Sequence, residues 1–402
     1  MIQSKVRKIA ASYLLTPDND IVKNGVVTCD DDGTIVEAEW GAKFSKEEAG
    51  VEFYSGLLTP GFVNAHCHLE LSYMKGKIDE KTGIGGFIGQ VNRIRNNRPG
   101  NVQKYFQQAD RKMWVNGIAA VGDISNSSET VEVKRQSKIF YHTFIEAFGF
   151  HPSRAERAFA LAKEAKQQFE ANGLACSIVP HSPYSVSDPL FQMIKTEAKE
   201  SKSILSIHNQ ESNGENQFFL TGDGPIADHL SNNLNIDISH WKPTGRHSLE
   251  SVIGYFPAEN ILLLVHNTFT QNEDLVALEK KRMPQNNYFV LCPNSNLYIE
   301  NSLSPVSLLK DKKLNICIGT DSLASNQGLS ILSELVTLQH HFPSVRLEEL
   351  FTWSCINGAK ALGISEVFGS LEIGKKPGIN IISGIDFLNM KLNASARVQR
   401  LC

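Results

Sequence analysis

Short apolar runs alternate with longer amphipathic segments between about residue 58 and about residue 365. Most of the runs are rich in β-branched or aromatic residues and are bounded by Gly, Pro, Asn or Ser, which is typical of buried parallel strands. They lie at residues 59–70, 117–125, 138–148, 175–182, 203–209, 261–267, 287–293 and 314–322. This pattern predicts eight strands.

The segments between these runs have the spacing of amphipathic helices. The segment from Arg154 ends in Asn172-Gly173, a pair suited to a left-handed C-terminal cap. Another helix is predicted to begin at Ser187-Asp188-Pro189, which combines a capping hydroxyl, an acid and a first-turn proline. Helical spacing also joins Ile84, Phe87, Ile88, Val91 and Ile94.

Eight strands alternating with helices favour a closed parallel barrel over an open doubly wound sheet. Both ends of the chain carry shorter strand signals, at Ser4–Ala11, Gly25–Thr28, Ile35–Glu39, Ile379–Ile382 and Ala396–Leu401. We therefore predict an α/β protein in which residues 58–365 form a (β/α)₈ TIM barrel. Residues 1–57 and 366–402 are predicted to form one small β-sandwich domain built from both termini.

Composition narrows the function classes. The chain has 402 residues, a formal net charge of −3 and 21% charged residues, without long runs of one sign. It therefore offers no basic surface for nucleic acid or anionic membrane. Residues 1–21 lack the apolar stretch of a signal peptide, and no uncharged segment approaches the length that spans a membrane. The 7 cysteines are scattered without Cys-x-x-Cys spacing, so we expect no disulfide framework and a cytoplasmic location.

Polar residues fall at the ends of the predicted strands, where a parallel barrel places its active site. The strand-terminal residues are His66 and His68, His181, His208, His266 and Asp321. Imidazole nitrogens with a carboxylate oxygen form a donor set suited to zinc or a similar cation.

The His66-Cys67-His68 sequence follows strand geometry. Residues i and i+2 of a strand point to the same side, so both imidazoles should face the barrel interior while Cys67 faces the helices. We interpret Cys67 as a small buried apolar residue and not as a ligand.

Several segments resemble the amidohydrolase superfamily. Residues 58–70, LTPGFVNAHCHLE, resemble its first-strand signature, and residues 319–322, GTDS, resemble its eighth-strand aspartate. Residues 371–378, LEIGKKPG, resemble its return to the β-domain.

Other segments resemble one branch of that superfamily. Residues 208–211, HNQE, are similar to the His-x-x-Glu of its deaminases. Residues 181–187, HSPYSVS, and 292–297, CPNSNL, are similar to the nucleoside deaminases acting on S-adenosylhomocysteine, methylthioadenosine or aminofutalosine.

The resemblance implies a role for each matching residue. His66, His68, His208 and Asp321 would bind one metal ion, Glu211 would shuttle protons, and His266 would lie beside the attacking water. Relatives with two metals bridge them by a lysine that ends strand four, and residues 177–181 here contain none. We expect one divalent cation, with zinc preferred to iron or manganese.

The chemistry follows from the residue types. A divalent cation lowers the pKa of bound water from roughly 15.7 to about 7. Asp321 or His266 could take the released proton, and Glu211 could protonate a ring nitrogen such as N1 of adenine. The alternative for Glu211 is an acid that merely precedes a helix.

Further residues carry open interpretations. Glu70 shares strand parity with the two histidines, so we predict that it faces the pocket and accepts substrate hydroxyls. His181 is either a substrate contact or a packed residue. Ser295 and Asn296 are turn formers or ligand contacts, and Asp123 and Glu146 are candidate orienting residues.

Deamination of an adenine-type nucleoside is the preferred function. The alternatives on the same site are hydrolysis of a cyclic amide or imidazolone and dechlorination of a triazine. A metal-free pseudoenzyme kept for assembly should have lost ligands, and this sequence keeps each expected one. The partner is expected to be a small-molecule substrate, and the sequence leaves a homodimer open.

Overall fold

The computed structural model of the protein describes residues 6–41 and 49–402. Its strands are β1 (Arg7–Leu15), β2 (Ile21–Cys29), β3 (Ile35–Trp40), β4 (Val51–Pro60), β5 (Phe62–Cys67), β6 (Ile118–Ser125), β7 (Phe140–Ala147), β8 (Ala175–Pro180), β9 (Leu205–Asn209), β10 (Leu262–His266), β11 (Asn287–Leu291), β12 (Asn315–Ile318), β13 (Ile379–Asp386) and β14 (Lys391–Arg400). Each of the eight predicted runs contains one of the strands β5 to β12.

Strands β5 to β12 form two four-stranded parallel sheets, in the orders β5-β6-β7-β8 and β12-β11-β10-β9. The hydrogen-bond ladder is interrupted where the sheets meet, and short contacts join them there. At one seam the N–H groups of Thr320 and Asp321 donate to the His66 carbonyl, at 3.0 and 3.1 Å. At the other, the His208 N–H donates to the His181 carbonyl at 3.0 Å. Both seams therefore lie at strand ends that carry predicted site residues.

The first predicted run, 59–70, is divided at Gly61 into β4 and β5. The Gly61 N–H donates to the carbonyls of Pro377 and Gly378, at 3.2 and 3.1 Å. A Cβ at Gly61 would lie 2.6 Å from the Ala119 Cβ and 2.6 Å from the Pro377 oxygen. Only glycine fits this close approach, and the chain turns there from the terminal sheet into the barrel.

The strands of both termini form one six-stranded mixed sheet with the order β14-β13-β4-β1-β2-β3. Strand β1 pairs in parallel with β4, and the other pairs are antiparallel. The predicted strand at Ser4–Ala11 begins outside the described residues, and its described part lies in β1. Strand β4 continues from this sheet to Pro60.

Helices separate the barrel strands. They are α1 (Gly83–Asn96), α2 (Gln103–Val115), α3 (Val131–Gln136), α4 (Ala155–Ala171), α5 (Asp188–Ser201), α6 (Asn213–Thr221), α7 (Pro225–Asp228), α8 (Ser248–Val252), α9 (Asn272–Glu279), α10 (Pro293–Ile299), α11 (Val306–Asp311), α12 (Ile331–His341), α13 (Leu347–Ser354) and α14 (Ile356–Ala361). Within residues 6–41 and 49–402, no helix combines the length and the apolar composition that crossing a bilayer requires.

The predicted helix ends are partly correct. Helix α4 ends before Gly173, which has the left-handed φ of 71° expected of a C-terminal cap. Helix α5 begins at Asp188 with Pro189 in its first turn, but the predicted capping hydroxyl is wrong. The Ser187 hydroxyl is buried without a hydrogen-bond partner, and the Ser187 N–H donates to the Gly149 carbonyl at 2.9 Å.

Candidate active site

A cavity of ≈ 640 Å³ lies at the carboxyl ends of the barrel strands. The predicted site residues His68, His208, Glu211, His266 and Asp321 line it. Its outer wall is largely apolar, formed by Ile84, Phe87, Ile88 and Val91 of α1 together with Leu230, Leu234 and Ile236. The cavity therefore has a polar floor and an apolar side.

Four of the predicted ligands meet at the floor of this cavity. The Nε2 atom of His68 lies 3.2 Å from that of His66 and 3.2 Å from that of His208. Oδ1 of Asp321 lies 3.6 Å from Nε2 of His66 and 3.5 Å from Nε2 of His68. Tetrahedral nitrogen ligands of zinc lie about 3.3 Å apart, so the donor set fits a single divalent cation.

The described chain contains two further groups of close donor atoms. One joins His266 to His66 and His208, and the other joins Glu146, His181 and His208. Both share His208, so they extend the same cluster. Cys67 belongs to none of these groups and is buried in the apolar core, as its strand parity predicts.

Burial sets the charges of the cluster. It lowers the pKa of His66 to about 4 and that of His68 well below its ordinary value. Both imidazoles are therefore neutral, which is the form that binds metals. Burial also raises the pKa of Asp321, but the contacts with His66 and His68 outweigh it and hold that pKa well below its ordinary value.

Two oxygen atoms fix the orientation of the His208 ring on its Nδ1 side. Its Nδ1 atom lies 2.9 Å from the His181 carbonyl oxygen and 3.2 Å from Oε1 of Glu146. Nδ1 is thus held as a hydrogen-bond donor, and Nε2 is the nitrogen that faces the other donor atoms. Burial lowers the pKa of His208, but the bond and charge of Glu146 raise it to about 9. The Glu146 carboxylate therefore stabilises positive charge at His208.

Two hydroxyls hold the remaining oxygen of Asp321. Oδ2 accepts hydrogen bonds from Oγ of Ser295 at 2.6 Å and from Oγ of Ser325 at 2.7 Å. Oδ1 is left facing the histidines. Ser295, which the sequence left open between turn former and ligand contact, lies in α10 and bonds to this carboxylate.

Glu211 and His266 form a buried pair beside the four donors. Oε1 of Glu211 lies 3.5 Å from Nε2 of His266, whose Nδ1 lies 2.8 Å from Oδ1 of Asn296. Burial raises the pKa of Glu211 to about 8 and lowers that of His266 to about 4. A carboxyl that keeps its proton at neutral pH and a neutral imidazole therefore face the same cavity.

Glu70 is buried behind the cavity wall. Oε1 accepts a hydrogen bond from Nη2 of Arg95 at 3.0 Å, and Oε2 accepts one from the Asn126 N–H at 2.9 Å. Arg95 and Asn126 line the cavity at this point, and Glu70 is not among its lining residues. Burial raises the pKa of Glu70 to about 7, against the charge of Arg95. Its contact with substrate hydroxyls stays a prediction.

His181 lines the cavity and is half-buried. Its Nδ1 atom lies 2.9 Å from Oγ of Ser185, and its ring centroid lies 4.9 Å from that of His208. Burial lowers the pKa of His181 to about 4, so this ring too is neutral. Contact with a substrate stays a prediction.

Asp123 supports the segment that carries Glu70. Oδ1 of Asp123 accepts a hydrogen bond from the Leu69 N–H at 2.8 Å, at the start of the 3₁₀ turn Leu69–Met74. Oδ2 lies 2.6 Å from Nζ of Lys134, and both side chains are fully buried. This pair fixes the chain that follows His68.

The sequence interpretation missed Arg95, Asn126, Lys134 and Ser325. One of them carried a usable signal, because Asn126 directly follows the run 117–125 and so lies near the same end of its strand as the other polar residues of the site. Ser325 lies four residues after Asp321, in a loop whose course the sequence does not fix.

Three residues near the donor atoms have left-handed backbone conformations. The φ angle is 47° at Gln210, 74° at His266 and 54° at Asp321. Such angles are uncommon for residues other than glycine, and a cluster of them beside one another is typical of functional sites. They turn the chain sharply at the ends of β9, β10 and β12.

Comparisons with known proteins find relatives that share this fold. An adenosine deaminase of Helicobacter pylori is 29% identical to this chain over 82% of it and 79% of the relative. The solved aminofutalosine deaminase of Helicobacter pylori, in complex with methylthio-coformycin, superposes with a TM-score of 0.78 at 24% identity, covering 94% of this chain and 92% of the other. An adenosine deaminase from Xanthomonas campestris with bound zinc superposes with a TM-score of 0.74 at 21% identity, covering 96% and 86%.

A model of the amidohydrolase family matches residues 57–399, which include all eight barrel strands and all of the donors described above. The chain therefore belongs to the amidohydrolase family.

Proposed function

We propose that this protein removes the amino group from the base of an adenine-type nucleoside by hydrolysis, with one divalent cation, zinc. The observation that carries the proposal is the buried Glu211–His266 pair in the cavity that His68, His208 and Asp321 also line, with His66 in contact with His68 and Asp321. The adenosine deaminase relative, 29% identical, supports the same reaction.

The proposed cation ligands are His66, His68, His208 and Asp321. Their nitrogen and oxygen donors and their separations fit zinc, and the zinc in the Xanthomonas relative supports that choice. When bound, a divalent cation would lower the pKa of a water molecule to about 7 and so supply a nucleophile at neutral pH.

The protein side chains would then move the protons. Glu211, protonated in its buried setting, would donate to N1 of the adenine ring and make C6 electrophilic. Asp321 and His266 would orient the water and take its proton. Water oxygen would bond to C6, the C6–N bond would break, and the amino group would leave as ammonia after receiving a proton.

The substrate contacts are proposed on position and chemistry. His181 lines the cavity and would meet the base or the 5′ substituent. Glu70 lies behind Arg95 and Asn126, but each of its oxygens has a lone pair beyond those that these two residues use, so Glu70 could accept the two ribose hydroxyls once Arg95 moves aside. A volume of ≈ 640 Å³ and an apolar side suit a nucleoside better than a free base.

The test is ammonia release by the purified protein across a substrate panel, with metal content measured on the same sample. The panel contains adenosine, its 5′-substituted derivatives, aminofutalosine, guanine and cytosine, and imidazolonepropionate is followed separately by its loss of ultraviolet absorbance because opening its ring releases no ammonia. We expect release from adenine nucleosides and about one zinc ion per chain. Turnover of only free bases or imidazolonepropionate would contradict the proposed substrate while leaving the metal site in place.

A further inference from the structure

Asn126 stands between two buried carboxylates at the cavity wall. It directly follows β6, and its backbone N–H donates to Oε2 of Glu70 at 2.9 Å. Its side-chain Nδ2 donates to Oε2 of Glu146 at 2.8 Å, and its Oδ1 accepts from Nη2 of Arg95 at 2.8 Å. The side-chain amide therefore donates to Glu146 with its nitrogen and accepts from Arg95 with its oxygen.

The donor side of this amide determines where Glu146 points. With Oε2 held by Asn126, Oε1 of Glu146 lies 3.2 Å from Nδ1 of His208. Carboxylates behind a metal-binding histidine fix its ring orientation and its tautomer. Asn126 thus lies two contacts away from the Nε2 atom that meets His68.

The acceptor side holds the helix that forms the apolar wall. Arg95 lies in α1, and its Nη2 bonds to both Asn126 and Glu70. Burial raises the pKa of Glu70, and the nearby Glu146 carboxylate adds to this rise because like charges repel. A neutral amide between them joins both without adding a third negative charge.

We propose that Asn126 is a positioning residue that turns Glu146 onto His208 and thereby raises the affinity of the site for its cation. This inference rests on the proposed cation site. It requires a donor at position 126 that faces an acceptor at position 146. A carboxylate at 126 could still accept from Arg95 but would repel Glu146.

The test exchanges the two functional groups. Asn126→Asp and Glu146→Gln are each expected to weaken zinc binding about 10- to 100-fold, measured by competition with a chromophoric chelator at pH 8. The double variant N126D/E146Q places the amide at 146 and the carboxylate at 126. The hydrogen bond between the two positions is thereby restored, with residue 146 as the donor and residue 126 as the acceptor. Its zinc affinity is expected to return toward that of the unmodified protein and to exceed that of both single variants.

Two controls keep the result interpretable. Ser128→Asp adds the same charge to an exposed residue of the same loop and should leave zinc affinity unchanged. Asn126→Ala removes both side-chain bonds without new charge, and should weaken zinc binding even if N126D fails to fold. Unchanged affinity in N126A or N126D, or additive losses in the double variant, would overturn the inference. An unmodified protein that binds no zinc would instead overturn the proposed function.

Discussion

At the scale of single residues, burial decides what each ionisable side chain of the site can do. Glu211 and Asp321 are both buried carboxyl groups, yet burial leaves Glu211 with a pKa of about 8, whereas the contacts with His66 and His68 hold the pKa of Asp321 far below its ordinary value. Carboxyls whose pKa values are pushed apart in one cavity are suited to different roles, one as a proton donor and the other as a ligand.

Glu211→Gln should therefore separate proton transfer from metal binding. The amide has the same shape and leaves the four donors alone, but it cannot pass a proton to a ring nitrogen. We expect kcat to fall about 10²- to 10⁴-fold with zinc content unchanged, measured by ammonia release and elemental analysis. Near-normal turnover in this variant would show that Glu211 transfers no proton and is only an acid that precedes α6.

Glu70→Ala tests the proposed contact with the ribose. Hydrogen bonds to a charged group contribute about 1.5–3 kcal/mol, so kcat/KM on a ribonucleoside should fall about 10- to 100-fold. The matching free base, which has no vicinal hydroxyls, is the control and should lose much less. Equal losses on both substrates would show that Glu70 acts only by holding Arg95 and Asn126.

Sequence analysis found the site residues whose position depends on strand ends, and it missed those whose position depends on helices and loops. His66, His208 and His266 each end a run of apolar residues, and a barrel brings such ends together whatever the loops do. Arg95 and Ser325 reach the site through a helix and a loop, so their partners depend on tertiary packing. For the same reason, strand parity gave the orientation of Cys67 correctly but gave no sign of Arg95 in front of Glu70.

At the scale of elements, the seam between β5 and β12 holds two of the proposed ligands. The His66 carbonyl accepts hydrogen bonds from the N–H groups of Thr320 and Asp321, and Cys67 pairs with Asp321. The relative position of His66 and Asp321 thus depends on how closely these two strands approach each other. Gly319 lies at this point of closest approach.

Gly319→Ala should widen this seam. The added Cβ would lie 2.8 Å from the His66 Cβ and 3.0 Å from Sγ of Cys292. Overpacking of this kind costs about 1–3 kcal/mol of unfolding free energy, and here it should also weaken zinc binding by moving His66. Urea denaturation and chelator competition measure the two effects.

Gly328→Ala is the matched control for that change. A Cβ at Gly328 meets no atom within 4 Å, so its stability and zinc affinity should remain those of the unmodified protein. If the two alanine variants behaved alike, the closeness of the seam would have no bearing on the site.

The division of residues 59–70 into β4 and β5 depends on contacts with a distant part of the chain, which the pattern of this segment does not contain. The run is mostly apolar up to His66, and only the pair Pro60-Gly61 in it signals a break. The break depends on the carbonyls of Pro377 and Gly378, which the far end of the chain brings to Gly61. Local periodicity predicted the strand and missed the division.

At the scale of the whole molecule, the proposed ligands come from β5, β9 and the segment after β12, so one cation would join both four-stranded sheets. A ligand that binds only the folded state stabilises it by mass action. Zinc at about 100 times its dissociation constant should therefore raise the free energy of unfolding by about 2.7 kcal/mol.

His66→Ala should abolish this stabilisation together with activity, whereas Glu211→Gln should retain it. Thermal or urea unfolding with and without added zinc, on both variants, measures the difference. An unmodified protein that unfolds at the same point with and without zinc would contradict the proposed cation site.

The left-handed residues at the ends of β9, β10 and β12 limit how this site could be transferred to another protein. A designer who grafted only the side chains of His208, His266 and Asp321 onto a regular barrel would leave their donor atoms on extended strand ends. Each left-handed turn costs about 1–3 kcal/mol, and a host barrel would have no reason to adopt it. A working transplant must carry the turns themselves, residues 208–211, 265–267 and 319–322, along with the loops that hold them in place.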